Sequence, residues 1–121
     1  KADEDSKIGD AFTIAEFVMG VNETTEADLP ETVLAWDLVR AVNMARWAFI
    51  CGYINEDEMW EAIRTTAGIA KESFNSWEEY GNSFAVGRGI WRGETDDYET
   101  ADEVVGALLN KEDSPWKAIE W

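Results

Sequence analysis

Three short strings punctuate this chain and constrain its fold more than any other feature. Asn55-Glu56-Asp57-Glu58, Ser76-Trp77-Glu78-Glu79 and Thr100-Ala101-Asp102-Glu103 each place a small polar residue three positions before a glutamate. At that spacing a side-chain oxygen closes the open N–H groups at a helix start, and the glutamate reaches back to the cap. Apolar residues at helical spacing follow each string. No stretch of useful length alternates apolar and polar as a half-buried strand does. The expectation is an all-α fold, a compact bundle of about five helices.

Further boundaries fit one helical domain over residues 1–121. Residues 1–7 are polar and read as a frayed start. Phe12, Ile14, Ala15, Val18 and Met19 suggest a first amphipathic helix, with Gly20 and Asn22 as its stop. Residues 23–30 read as an acidic linker. Residues 31–51 form the most apolar segment, interrupted between Val33 and Cys51 only by Asp37, Arg40, Asn43 and Arg46. A helix apolar nearly all round is buried, so this segment is expected to be the central helix, ended by Gly52. Helices should follow from Asn55 to about Phe74 and from Ser76 to about Trp91. The glycines Gly81, Gly87 and Gly89 fit places where another helix approaches closely. Gly93 to Glu99 reads as a loop, Thr100 opens the next helix, and Ser114-Pro115 starts a short final turn.

Composition narrows the function classes. There are 26 acidic and 10 basic residues, a formal charge of −16. Phosphate backbones need Lys and Arg, so direct nucleic-acid binding is not expected, and anionic membranes are disfavoured for the same reason. A basic protein partner is permitted, and the field would speed its approach. The absence of histidine removes Ser-His-Asp and Cys-His catalysis, His-ligated zinc and the usual pH switch. Cys51 is the only cysteine, so no internal disulfide forms; its apolar neighbours predict a buried, inert thiol. No stretch approaches a membrane span in length. Seven tryptophans spread along the chain read as core. Neither a cofactor nor a metal is expected.

The residues best suited to chemistry are Asp37, Arg40, Asn43 and Arg46, at steps of three along the apolar helix, with Arg88 between Gly87 and Gly89 as a further cation. Buried, each must find a partner, because an isolated buried charge is expensive. Glu61 and Glu72 are candidate anions. The cluster reads either as a pocket for an anionic or amide-bearing ligand or, preferably, as a satisfied network that fixes helix register. Burial of Arg40, Arg46 and Arg88 would leave a surface more acidic than the formula, over a small cationic centre. The acidic stretch Glu94 to Glu103 lacks the alternating oxygens and turn glycine of a calcium loop; docking onto a basic partner suits it better, and a merely solvated loop better still. Trp91-Arg92 with Tyr53 and Tyr80 is a candidate cation–π or ring-lined group, with core as the plainer reading. Ser73, Ser76, Ser83 and Cys51 are the nucleophile candidates, and none has an identifiable base beside it.

An ordered series carries a resemblance. It comprises Trp36, Asp37 and Arg40; Ser76, Trp77, Tyr80 and Gly81; Gly87, Arg88 and Trp91; and Ser114, Pro115 and Trp116. From about Leu34 to Trp121 this order and spacing resemble the YbeU/YbeR-like bacterial family, domain of unknown function twelve-sixty-six. The resemblance implies a bacterial origin and transfers no activity; a cytoplasmic location is a separate expectation. Three functions are therefore carried forward. The first is a protein-binding module, such as an inhibitor or immunity-like partner of a basic protein. The second is a small-ligand or enzymatic domain using the Asp/Arg cluster. The third is a structural domain of a larger assembly. The lack of catalytic signatures favours a non-enzymatic role, and the oligomeric state is open.

Overall fold

The computed structural model describes the backbone of residues 2–22 and 29–121 and the side chains of residues 9–20 and 29–121. Among the described residues six helices follow one another: α1 (Ala2–Asn22), α2 (Leu34–Ile50), α3 (Glu56–Ser73), α4 (Trp77–Arg92), α5 (Thr95–Asn110) and α6 (Pro115–Ala118). The fold is all-α, as the capping strings predict. Residue 1 and the linker at 23–28 lie outside the described residues; the helical backbone of α1 already includes residues 2–7, where fraying was expected.

Two of the three capping strings start helices. Asn55 accepts from Glu58 N at 2.9 Å while Glu58 Oε1 accepts from Asn55 N at 3.1 Å, closing both ends of the box. Ser76 Oγ accepts from Glu79 N at 3.1 Å; the Glu79 carboxylate reaches Asn75 N instead, at 2.8 Å. Ser114 Oγ accepts from Trp116 N, with Pro115 at the first helical position, as expected. The third string does not cap. Thr100 lies inside α5 and donates to the Asp96 carbonyl at 2.9 Å, so Thr95 to Glu99 is helix and not loop. The competing signal was the four-residue turn itself, which a threonine satisfies as well as a cap.

The central position belongs to α4, not to residues 31–51. The α4 helix packs against α1, α2 and α5 and buries Gly81, Ser83, Ala85, Val86, Gly87 and Gly89. On one side Ile14, Val18, Ala85, Val86, Tyr98, Ala101 and Val105 form the main core. On the other, Ala35 and Leu38 of α2 meet Ala70 and Phe74. Small residues let helix backbones close up. A Cβ at Gly87 would stand 2.5 Å from Trp36 Cβ, and one at Gly81 would stand 2.5 Å from Val105 Cγ1. Ser83, fully buried, donates to the Thr32 carbonyl at 2.7 Å and accepts from Ala35 N at 3.2 Å. This seam fixes the start of α2 on α4.

The α2 helix buries only Ala35, Leu38 and Ala45. Its apolar residues exceed what its two neighbours cover, and Cys51 at its end is exposed rather than buried. Arg40 and Arg46 are exposed and Arg88 is half-buried, so these three arginines do not form the cationic centre that their burial would have made.

Candidate functional site

The uncovered face of α2 is one wall of a groove. Residues 36, 40, 43 and 47 fall at steps of four, three and four and so share a helix face. They face α4, through Phe84, Arg88 and Trp91, and α5, through Asp96, Asp97, Thr100, Ala101 and Val104. The space between is about 860 Å³ and opens to solvent. Trp36 forms its inner wall, its ring 5.5 Å from that of Phe84. Around the mouth stand Met44 (68% exposed), Trp47 (61%), Trp91 (51%) and Val104 (52%).

The groove collects part of the sequence-predicted cluster. Arg40, Asn43 and Arg88 line it; Asp37 and Arg46 lie exposed on other sides of α2. Arg40 and Asp37, three residues apart on α2, therefore do not pair. The Arg40 guanidinium instead lies between two rings, 4.6 Å from the centre of Trp91 and 5.7 Å from that of Trp36. Arg88 also faces Trp36, at 5.3 Å, and its charge is met by Asp97 at 3.2 Å. Arg92 shares that carboxylate at 3.6 Å. Among the described residues Arg40 has no carboxylate partner and the Asn43 amide has no hydrogen bond. The Trp36 ring nitrogen is buried without an acceptor, an arrangement that costs about 1–3 kcal/mol.

The remaining candidates fall elsewhere. Glu61 and Glu72 are exposed on α3 and take no part in the groove. Tyr53 is exposed beyond the end of α2, and Tyr80 sits in a separate aromatic cluster with Trp77, Trp116 and Trp121. Burial there pushes the Tyr80 hydroxyl above its ordinary pKa. The cation over Trp91 is Arg40, not its neighbour Arg92. The hydroxyls of Ser76 and Ser83 are used in the cap and in the α2–α4 seam. Acidic Glu94 to Glu103 belongs mostly to α5, with Asp97 turned to the arginines. Among the described residues no three Asp, Glu or Cys side chains are placed to hold a metal ion. No described helix is long and apolar enough to cross a membrane.

Sequence reasoning missed the aromatic walls, because tryptophans at helical spacing were assigned to the core. The available signal was the excess of large apolar residues on α2 over the width of one buried face.

A second recess of about 360 Å³, between the start of α2 and the end of α3, is polar, and its Glu79 carboxylate is already engaged by Asn75 N. The α2–α4–α5 groove is thus the better candidate site. A family model described as protein of unknown function (DUF1266) matches residues 2–121, extending the sequence resemblance through the segment before Leu34. No curated protein and no solved structure matches, so the narrower YbeU/YbeR-like label gains no support from a relative.

Proposed function

We propose a function from the groove itself, because the chain belongs to the DUF1266 family and that family is described only as protein of unknown function. The domain is a protein-binding module, and the α2–α4–α5 groove receives an apolar segment of its partner. The observation that carries this reading is the concentration of exposed Met44, Trp47, Trp91 and Val104 around one concave site. Scattered apolar side chains are ordinary on a surface, whereas a cluster rimmed by polar groups marks an interaction site. Tryptophan and arginine are also the side chains that most often anchor interfaces.

The formal charge of −16 supports a partner that is basic overall, as an inhibitor or immunity-like role would require. The groove volume, about 860 Å³, favours one second reading, a small-ligand site, since it falls within the usual range for such pockets.

A photo-crosslinking residue at Met44, compared with one at Glu112 outside the groove, tests the proposal in host cells. The expected result is an identified protein captured from Met44 alone. The purified protein should bind the domain and lose affinity about tenfold or more with Trp47→Ala. Equal capture from both positions, or unchanged affinity with Trp47→Ala, would overturn it.

A further inference from the structure

We propose that the partner segment presents a carboxylate side chain, flanked by apolar ones, to Arg40 and Asn43; this rests on the groove being the binding site. The sign is unexpected for a chain with 26 acidic and 10 basic residues. Among the described cations only Arg88 and Arg92 meet a carboxylate, sharing Asp97; Arg40, Arg46, Arg64, Lys71, Lys111 and Lys117 do not. Arg40 is set apart by its place in the groove: its guanidinium lies against the rings of Trp36 and Trp91, and none of its N–H donors is used by a described residue.

Ring contacts of this kind engage the flat face of a guanidinium and leave its edge donors free. One helical turn on, Asn43 lines the same groove, and among the described residues its amide has no hydrogen-bond partner. Two unused sets of donors, three residues apart on one helix face, match a planar acceptor with two oxygens. The surrounding Trp47, Met44 and Val104 accept the apolar neighbours of that acceptor.

The net negative charge does not prevent this. At about 0.1 M salt, charges beyond about 10 Å are largely screened; of the two carboxylates that line the groove, Asp97 is held by Arg88 and Arg92, which leaves Asp96 as the groove's own opposing acid. The same skin favours basic residues on either side of the segment. The geometry therefore points to a basic partner carrying one acidic anchor amid apolar residues.

Three blocked pentapeptides serve as probes, alike with leucine and tryptophan flanks and differing at the centre in Glu, Gln or Lys. Binding is read from chemical shifts of the Trp47 and Trp91 indole N–H groups and of the Arg40 Nε–H. The Glu peptide should bind about fivefold to tenfold tighter than the Gln peptide, and the Lys peptide weakest. Arg40→Gln should erase the Glu preference without loss of fold, which the unchanged remainder of the spectrum checks. Arg46→Gln, one exposed cation on another side of the helix, should leave the preference intact.

Equal affinities for Glu and Gln peptides, or a preference that survives Arg40→Gln, overturns the carboxylate anchor and leaves the groove as a binding site. Octanoate binding as tightly as the Glu peptide overturns the peptide source and assigns the same chemistry to a small amphiphile. Silence of the groove resonances with every probe overturns the groove reading itself.

Discussion

Two groups of three tryptophans occupy different parts of this protein and are built on different terms. In one, Trp77 stacks on Trp116 with ring centres 4.9 Å apart, and Trp121 meets Trp77 edge-on at 4.9 Å. Two of the three ring N–H groups are used inside the protein: Trp77 donates to the Ile119 carbonyl at 2.8 Å and Trp121 to the Phe74 carbonyl at 2.9 Å. These bonds tie the end of the chain to α4 and to the end of α3. In the other group, Trp36, Trp47 and Trp91 face an open groove; Trp36 and Trp91 lie against Arg40, and among the described residues the Trp36 N–H has no acceptor. A ring whose faces and N–H are both used inside the protein holds the fold. A ring that stands exposed at the mouth of a groove, as Trp47 does, is available to something else. The same residue type does two jobs, and only its surroundings distinguish them.

The contrast is broken most strongly from the closed side. Trp77→Ala removes a stacked, half-buried ring and its tie to Ile119, and is expected to cost about 3 kcal/mol of stability by urea unfolding. Gly87→Ala forces a Cβ to within 2.5 Å of Trp36 Cβ. It should cost about 2 kcal/mol and shift the Trp36 resonances, because α2 must move away from α4. Ser83→Ala leaves the Ala35 N–H and Thr32 carbonyl of the seam without their partner, for about 1.5 kcal/mol. Trp47→Ala, on the open side, should change stability by no more than about 0.5 kcal/mol.

The smallest effect concerns pH. Burial chiefly, with Glu103 beside it, holds the Asp102 carboxyl above its ordinary value of 3.8. The folded state thus favours the neutral acid. Below 3.8 that preference costs nothing, and as pH rises through the raised folded value the favourable contribution is lost. Asp102→Asn should therefore raise the unfolding midpoint slightly at pH 7, and the gain should close as pH falls through the carboxylate range.

The closed side was the more legible of the two in sequence. Ser114-Pro115 and the strings at Asn55 and Ser76 mark helix starts by local chemistry, which survives any tertiary arrangement. Close approach at Gly81 and Gly87 was also readable, since helical glycine is unfavourable without a packing reason. The position of α2 was not. An apolar helix reads as buried on average hydropathy, yet α2 has covered neighbours only on the sides of α3 and α4, and its remaining face shapes a groove. Arg40, Asn43 and Arg88 were legible as polar interruptions of apolar or glycine-rich sequence. Their separation from Asp37 and Arg46 depends on which face α4 and α5 meet, which spacing along one helix does not specify. Thr100 shows the limit of cap signatures, because the same residues also suit the interior of an acidic helix.

The most direct measurement compares Trp47→Ala with Trp77→Ala in two quantities, unfolding free energy and affinity for the Glu-centred pentapeptide, at a temperature where both variants are folded. The account predicts a crossed result. Trp47→Ala keeps its stability and loses about tenfold or more in affinity, while Trp77→Ala loses about 3 kcal/mol of stability and binds as the parent does. If Trp47→Ala is as destabilised as Trp77→Ala, or binds as tightly as the parent, the open tryptophans are part of the fold and the groove is not a binding site.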